Sequence, residues 1–315
     1  MGSAELGSVA LRLRQGDHVG VLKKAVKGGT KLVSGDQIIT ASATIPSGHK
    51  MALAPVRDGR PVRKYGQIIG FAQGDIAPGD HVHSHNLICK EYERDHAFCE
   101  DYEPIELYDI SKRRNFLGYG RPGGRAGTRN YVAVISNVNC SNSVSKHVAN
   151  HFNNSDFKRQ FPNVDGVIAL KTQGGCGVEP GGPMQIIRRT LGNMARHPNI
   201  SGYVMIGLGC EDNQIKGIRE DFDLDKLKEG EVRPQFMSIQ GSGGSLKTVK
   251  AAIRAVENIL PKVAGAQRTE QPLSKLLLAE NCGGSDGNSG CTANPALGFA
   301  SDELINHGGT SVLAE

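Results

Sequence analysis

Four cysteines could form a reactive site, because each lies between an apolar run that is typical of a strand and a segment that is typical of a helix. They are Cys140, Cys176, Cys210 and Cys282. Loops of this kind meet at one edge of a parallel sheet, where helix N-termini lower thiol pKa values and attract anions. The sequence therefore predicts four thiols along one sheet edge. The alternative interpretation is that they are buried core residues, since free cysteine is common in protein interiors.

Glycines flank these cysteines and could leave backbone N–H groups open to a carboxylate or an oxyanion. The densest stretch, ENCGGSDGNSGCTANPALGFASD at residues 280–302, directly follows an apolar run. The predicted substrate-binding residues are Gly175, Gly177, Gly283, Gly284, Ser285, Thr292 and Asn294. The alternative is that the glycines serve tight turns only.

Two carboxylates and one thiol are the candidates for catalytic chemistry. Glu211 directly follows Cys210, Asp286 lies in the glycine-rich stretch, and Cys176 lies in the sequence GGCG. A proton-transfer group must come within hydrogen-bonding reach of the reacting substrate. For Glu211, a solvated position at the start of a helix is the alternative.

A histidine-rich stretch, HVHSHN at residues 81–86, forms a second cluster. If it is a strand, alternation places His81, His83 and His85 on one face, where two imidazoles could hold a divalent metal. His49, in the predicted turn SGHK, is a further polar candidate. An exposed, histidine-rich strand end is the alternative.

The elements that must position these residues divide the chain into two parts. Residues 9–100 alternate short apolar runs with turn residues, which predicts a small all-β domain with strands at 19–22, 37–40, 50–54 and 65–72. Residues 101–129 have a mixed composition that indicates a linker and docking arm.

From residue 130 to 315 the pattern changes to strand, glycine-rich turn and helix, repeated several times. Predicted strands lie at residues 131–136, 164–170, 203–207, 236–239, 275–279 and 310–313, with helices over 183–196, 246–263 and 300–306. A further helix is predicted from Ser141 and Asn142 as caps, with Val144, Val148 and Phe152 on one face. This alternation predicts an α/β domain with a largely parallel sheet covered on both faces.

The composition restricts the class of protein. Apolar residues make up 38% and charged residues 22% of the chain, and no apolar run nears the ~20 residues of a membrane span. The N-terminus lacks a signal-peptide pattern, so we expect a cytoplasmic protein without a membrane partner. The densest basic run, residues 112–114, has no interleaved aromatics, which argues against nucleic-acid binding. No Gly-x-Gly-x-x-Gly follows the first α/β strand, which disfavours a dinucleotide enzyme.

Several of these motifs resemble the sugar-acid dehydratases of the altronate and galactarate dehydratase group. IPSGHKMAL, VRKYGQIIGFA and GDHVHSHNL are similar to the N-terminal SAF domain of that family, a small β-clip module. GRAGTRNYVAV, NVDGVIAL, GGCG, HPNISGYVMIGLGCEDNQ and CGGSDGNSGCTANPALGFASD are similar to successive signatures of its main domain. The resemblance covers the chain from about residue 12 onward, with its motifs in order.

The resemblance implies a hydro-lyase that removes water from a hexonate or hexarate to give a 2-keto-3-deoxy acid. It also implies a divalent metal, with iron(II) expected and manganese(II) as the other option. The histidine-rich stretch is closer to the altronate type than to the galactarate type. A sulfolactate sulfo-lyase shares the same modules, so the leaving group stays open.

With a metal acting as a Lewis acid, a nearby base could remove the proton α to the carboxylate while backbone amides bind that carboxylate. The resemblance supports His83, His85, Cys176, Cys210 and Cys282 as metal candidates without giving their individual roles. An iron–sulfur cluster held by three strand-end cysteines is the alternative cofactor.

Members of the family with a fused N-terminal module are usually longer than this chain, which stops at Glu315. A missing or separately supplied C-terminal domain is therefore expected, and a chain that binds sugar acids without turnover is the non-enzymatic alternative. A homo-oligomer is compatible with the sequence.

Overall fold

The computed structural model describes residues 3–35, 37–92, 102–153, 156–284, 286 and 288–314. The chain forms two compact units. The first comprises residues 1–106, 278–306 and 311–315, and the second comprises residues 107–277 and 307–310. These units differ from the predicted boundaries, because residues 278–306 belong to the first unit rather than to a domain over 130–315.

The first unit begins with short strands. Its elements over residues 3–92 are β1 (Ser3–Glu5), α1 (Leu6–Val9), β2 (Ala10–Leu11), β3 (Val19–Leu22), β4 (Lys31–Ser34), β5 (Gln37–Thr40), β6 (Lys50–Ala52), β7 (Pro61–Lys64), β8 (Gln67–Ala72), β9 (His81–Val82) and β10 (Leu87–Ile88). They form sheets in the orders β1-β4-β5, β2-β3-β6-β9 and β10-β8-β7. The strand-rich N-terminal domain predicted from the sequence is confirmed.

A four-fold turn repeat organises this part of the chain, and the sequence analysis missed it. Val26, Ile45, Val56 and Ile76 are buried, and they pair as Val26 with Ile45 and Val56 with Ile76. Three residues after each of them lies a glycine with φ between 71° and 97°. At the fourth of these glycines, Gly79, a Cβ atom would collide with the backbone carbonyl of Thr40, so only glycine fits.

The strand predicted over residues 65–72 begins two residues later than expected. Tyr65 and Gly66 have φ values of 61° and 74°, so they form the turn between β7 and β8. Two successive residues with positive φ are the pattern of a type I′ hairpin turn, which suits the twist of the flanking strands. Tyr65 is a residue type that is common in strands, but here it lies in the turn.

The second unit carries the α/β pattern. Its elements are β11 (Asn115–Gly120), β12 (Ala126–Gly127), β13 (Tyr131–Ser136), α2 (Asn142–Phe152), α3 (Phe157–Gln160), β14 (Gly166–Leu170), α4 (Gly182–Ala195), β15 (Ile200–Gly207), α5 (Ile215–Asp221), β16 (Gln235–Ser238), α6 (Ser245–Ala264) and β17 (Thr269–Pro272). The sheet has the order β14-β13-β15-β16 and all its pairs are parallel. β11 pairs with β12 and β17, so part of the predicted linker is strand.

Both faces of the parallel sheet are covered, as predicted. Val132 and Val134 of β13 pack with α2 and α6 in one core, whereas Ala133 and Ile135 pack with α4 and α5 in the other. The predicted face of α2 is buried, but Ser141 does not cap the helix. Its hydroxyl donates instead to the carbonyls of Val138 and Ile206.

The last elements are β18 (Leu277–Asn281), α7 (Ala293–Asn306) and β19 (Thr310–Ala314). β18 lies in a two-stranded sheet with β19, so the expectation that this apolar run joins the parallel sheet is wrong. Its residues alternate between exposed and half-buried positions rather than being buried on both faces. α7 begins seven residues before the predicted helix, and Pro295 lies in its first turn, where a missing N–H costs little.

Among the helices in the described part of the chain, none combines the length and the apolar character needed to cross a bilayer.

Candidate functional site

Three of the four predicted cysteines lie at the carboxyl edge of the parallel sheet. Cys176, Cys140 and Cys210 follow β14, β13 and β15, which are neighbours in that sheet, and all three are exposed. We call the loops over residues 137–141, 171–181 and 208–214 the thiol rim. The interpretation of these cysteines as buried core residues is wrong for all three.

Backbone hydrogen bonds join the three loops. The Asn139 N–H donates to the Gly174 carbonyl over 2.8 Å, and the Asp212 N–H donates to the Cys176 carbonyl over 2.9 Å. The strand order reverses between β13 and β15, and in open α/β sheets the crevice at such a point is where ligands bind. The thiol rim therefore surrounds the position where this fold offers a ligand site.

Cys210 has a specific partner at the rim. Gln240, which follows β16, donates from Nε2 to the Cys210 Sγ over 3.2 Å. An N–H group directed at sulfur suits a cysteine that acts as a metal ligand or a nucleophile.

Glu211 does not face the open rim. Its side chain is 2% exposed, Oε1 accepts a hydrogen bond from Asn137 Nδ2 over 2.9 Å, and Oε2 accepts one from the Gly209 N–H. A Cβ atom on Gly207 would collide with Oε1. Helix α5 starts at Ile215, so the interpretation as a solvated glutamate at a helix start is wrong. The carboxylate therefore connects the loop after β13 with the loop after β15.

Two asparagines that the sequence analysis missed complete this network. Asn137 and Asn213 are each 2% exposed, and Asn137 Nδ2 also donates to the Asn213 carbonyl over 2.8 Å. Arg188 donates from Nε to Asn213 Oδ1 over 2.9 Å and pairs with Asp221 over 3.0 Å. Asn137 Oδ1 and Asn213 Nδ2 have no hydrogen-bond partner among the described residues. The only sequence signal was their place in loops that follow buried strands, with Asn137 directly after β13.

The glycines of the rim leave space around the main chain. Gly175 and Gly177 lie in the loop after β14, and an added Cβ atom at either would meet nothing within 4 Å. This open space is compatible with a ligand that approaches the backbone, as predicted for these two residues.

The glycine-rich stretch after β18 belongs to the first unit and follows a strand that is not part of the parallel sheet. Cys282 is exposed, and Gly283 and Gly284 have open space around them. The expectation that Cys282 shares an edge of the parallel sheet with the other thiols is therefore wrong. Ser285 lies outside the described residues.

The other polar candidates of this stretch shape their own loop. Asp286 Oδ1 accepts hydrogen bonds from the N–H groups of Asn288 and Ser289 over 2.8 and 2.9 Å. Thr292 donates its hydroxyl to the Asn288 carbonyl over 3.0 Å. Asn294 lies exposed in the first turn of α7. Asp286 Oδ2 accepts no hydrogen bond from the described residues and remains accessible.

The histidine-rich stretch is a turn rather than a strand. β9 ends at Val82, and the turn is closed by hydrogen bonds between Asn86 N–H and the His83 carbonyl and between His83 N–H and Asn86 Oδ1, both 3.0 Å. The alternation that predicted one shared face is therefore wrong. The turn nevertheless brings the rings together, because His81 lies 5.3 Å from His83 and 5.6 Å from His85 between ring centroids.

His49 joins them from the turn before β6. Its Nδ1 lies 2.9 Å from His81 Nε2, and its ring stacks on that of His83 at 5.4 Å. We call His49, His81, His83 and His85 the imidazole cluster. Burial lowers the pKa of His81, and the neighbouring His49, His83, His85 and Lys50 lower it further when charged. A lowered pKa keeps His81 neutral near pH 7, which is the form that binds metals.

The imidazole cluster fits a divalent metal by its chemistry but is not a preformed ligand set. Neutral imidazole is a good ligand for iron, zinc and other borderline metals. Within the described ranges, no three side chains of His, Cys, Asp or Glu are arranged to hold a metal ion. A metal would have to replace the contact between His49 and His81.

Three domain families match successive parts of the chain. They are the altronate/galactarate dehydratase SAF domain over residues 8–90, the second domain of D-galactarate dehydratase/altronate hydrolase over 118–264, and the D-galactarate/altronate dehydratase C-terminal domain over 273–315. The three matches follow one another along the chain without overlap.

Curated proteins show the same similarity. The chain is 34% identical to altronate dehydratase of Escherichia coli over 95% of its length, and 32% identical to galactarate dehydratase (L-threo-forming) of the same organism over 97%. It spans 58% of the length of each of these two relatives. It is also 32% identical to (2R)-sulfolactate sulfo-lyase subunit beta of Chromohalobacter salexigens, over 65% of this chain and 47% of that protein.

Proposed function

This chain belongs to the altronate/galactarate dehydratase family, and from that membership we propose that it dehydrates a sugar acid of the altronate or galactarate type. The product would be a 2-keto-3-deoxy acid. The observation that carries the proposal within the chain is the imidazole cluster, because elimination next to a carboxylate needs more electrophilic assistance than backbone and side-chain donors usually supply. A cytoplasmic location and a homo-oligomer stay predictions.

The reaction removes a proton from the carbon next to the substrate carboxylate and a hydroxyl group from the following carbon. A bound iron(II) or manganese(II) ion supplies Lewis acidity for this elimination. We propose the imidazole cluster as its holder, with the thiols predicted as ligands, Cys176, Cys210 and Cys282, as further candidates. Binding the metal needs neutral imidazoles, and the lowered pKa of His81 favours that form.

Backbone amides and one free carboxylate oxygen are the groups that would act on the organic substrate. The loop around Gly175 and Gly177 has room for a carboxylate beside its backbone. Asp286 remains a candidate base because its Oδ2 is accessible, and Cys176 remains a candidate because its thiol is exposed. Glu211 is a weaker candidate, since both of its oxygens are engaged and buried.

The test is an anaerobic keto-acid assay of this chain with altronate and galactarate, after chelator treatment and again after addition of iron(II) or manganese(II). We expect product only with metal, and with one of the two acids strongly preferred. Calorimetry runs in parallel. Binding of the sugar acid without any product under all metal conditions would refute the enzymatic proposal for this chain and support the alternative of a sugar-acid-binding protein.

A sulfo-lyase reaction is the second candidate, and the similarity to the sulfolactate sulfo-lyase subunit favours it. It differs in the leaving group, which would be sulfite rather than water. Sulfite release from (2R)-sulfolactate under the same metal conditions distinguishes the two reactions.

An iron–sulfur cluster on the thiol rim is the alternative cofactor. Cys140, Cys176 and Cys210 provide three exposed thiols on neighbouring loops, which is the number that leaves one iron of a four-iron cluster open to substrate. Anaerobic reconstitution with iron and sulfide would give strong visible absorbance if a cluster forms. A colourless protein that is active with iron(II) alone excludes it.

A further inference from the structure

The second unit contains a cavity at the edge of the parallel sheet opposite to the thiol rim. Its volume is about 700 Å³, and it is lined at the start of β15 by Ile200 and Ser201 and before β16 by Pro234. The ends of α4 and α6 and the loop between β11 and β12 complete the wall. This position lies away from the ligand crevice expected at the carboxyl ends of the strands.

The charges around this cavity are unbalanced. Six cationic side chains line it against the two carboxylates of Asp223 and Glu231. The cations are Arg121, Arg125, Arg196, Lys226, Lys228 and Lys262. A concave surface with one predominant sign of charge attracts ligands of the opposite sign.

Three of the six cations are engaged within the protein. Arg121 donates to the Pro198 carbonyl over 2.7 Å, Lys226 pairs with Asp223 over 2.8 Å, and Lys262 donates to the Glu231 carbonyl over 2.9 Å. Arg125, Arg196 and Lys228 make no ion pair and no side-chain hydrogen bond with any described residue. These three therefore have donors free for a ligand, and Arg121 and Lys262 add to the positive charge because their partners are neutral carbonyls.

Helix ends explain only part of this surplus. Arg196 directly follows α4, and a cation there stabilises the negative end of the helix dipole. Arg125 and Lys228 come from loops and have no such role. His197 also lines the cavity. Its pKa is lowered by burial and further by the positive charge of Arg125, which shows that the charge of Arg125 acts at the cavity wall.

We propose that this cavity binds a small, multiply charged anion whose charged groups are carboxylates or phosphates. The volume is in the usual range for a small-molecule site, roughly 300–1,000 Å³. Arginine side chains that lack an internal partner present planar pairs of donors that match carboxylate and phosphate oxygens. The proposal rests on the cavity alone and not on the function proposed for the other edge.

Calorimetry of the whole chain in the presence of chelator tests it, with galactarate and inorganic phosphate as probes and the uncharged galactitol as control. We expect binding of at least one anion, none of galactitol, and weaker binding at higher ionic strength. Preference for galactarate or for phosphate identifies the anionic group that the site selects.

Variants locate the site. Arg125→Gln and Lys228→Gln should each weaken anion binding about tenfold, since a charge-assisted hydrogen bond is removed. Arg189→Gln, an exposed arginine of α4 outside the cavity, should leave it unchanged. Hydrogen exchange should show protection at residues 196–203 and 223–232 on ligand binding. Absence of binding of both anions, unchanged binding in the two cavity variants, or an equal loss in Arg189→Gln would each overturn the proposal.

Discussion

His49 Nδ1 and His81 Nε2 lie 2.9 Å apart although the two residues are 32 positions apart in the chain. The pairing of β6 with β9 causes this proximity, because His81 is the register partner of Met51 and His49 lies just before β6. Two ring nitrogens at this distance form an N–H···N hydrogen bond, in which one ring donates and the other accepts. The pair therefore forms the centre of the imidazole cluster.

Removal of either histidine of this pair should weaken metal binding. His49→Ala and His81→Ala each delete one nitrogen donor, so we expect the affinity for cobalt(II) or iron(II) to fall by about tenfold to a hundredfold. Equilibrium dialysis against cobalt(II) measures this. His147→Ala, on the exposed side of α2, is the matched control and should bind metal as the wild type does. Unchanged affinity in both cluster variants would contradict a metal site here.

Much of the second unit could be predicted because its signals are local. Four successive apolar residues, Val132 to Ile135, alternate between two cores, so an uninterrupted apolar run was correctly taken as a strand buried on both faces. Once the strands are parallel, the residues that follow them must share an edge. That reasoning placed Cys140, Cys176 and Cys210 correctly without any knowledge of their contacts.

The remaining features depend on partners that are distant in the sequence. The apolar run before Cys282 fits a strand, but nothing local indicates that β18 pairs with β19 rather than with the main sheet. Asn137 and Glu211 look like solvated loop residues until β13 and β15 are side by side, where they bond to each other. The Asn86 side chain accepts a hydrogen bond from the His83 N–H and so holds the histidine stretch in a turn. The alternation of histidines in the sequence suggested a strand instead.

Asp17 should be a major stabilising residue of the first unit. Its buried carboxylate accepts hydrogen bonds from the N–H groups of Arg14, Tyr65 and Gly66, and it thereby holds the positive-φ turn between β7 and β8. Asp17→Asn places an N–H₂ group against some of these donors, so we expect the free energy of unfolding to fall by about 2–3 kcal/mol. Urea denaturation at pH 7 measures it. Glu103→Gln, at an exposed position, should change it by no more than about 0.5 kcal/mol.

The effect of Asp17 should depend on pH. Burial raises the pKa of its carboxyl, but hydrogen bonds from the Gly66, Tyr65 and Arg14 N–H groups outweigh burial and hold the pKa below its usual value. The charged form is therefore favoured in the folded state, and this stabilisation is complete above the unfolded pKa of about 3.9. As the pH falls through the folded pKa, the stability difference between wild type and Asp17→Asn should shrink. A difference that grows on acidification would contradict this assignment.

Glu211→Gln should affect structure more than proton transfer. Glutamine can accept only one of the two hydrogen bonds, so the Gly209 N–H or Asn137 Nδ2 loses its acceptor in a buried place. We expect the free energy of unfolding to fall by about 1–3 kcal/mol, and the Cys210 thiol to react faster with a thiol reagent. Glu229→Gln, which is exposed, is the control.

The opposite result would restore Glu211 as a catalytic base. Unchanged stability and unchanged Cys210 reactivity, together with a loss of turnover of about a hundredfold or more, are the signature of a residue that transfers the proton itself. The pH profile then loses the limb that belongs to this carboxylate. Stability and turnover must therefore be measured on the same preparation.

Gly192→Ala in α4 should destabilise the second unit although alanine is the better helix former. The alanine would gain about 1 kcal/mol in helix propensity, but its Cβ atom would lie inside contact distance of the Phe222 ring. Overpacking of this kind costs about 1–3 kcal/mol, and the clash is with the base of an anchored ring rather than with a flexible chain end. We expect a net loss of up to about 2 kcal/mol in urea denaturation, where the two terms are combined. Gly182→Ala, at the first residue of the same helix, meets nothing within 4 Å and should be neutral or stabilising. Equal stability of the two variants would mean that the helix α4 and the segment after α5 are not packed as closely as Gly192 and Phe222 indicate.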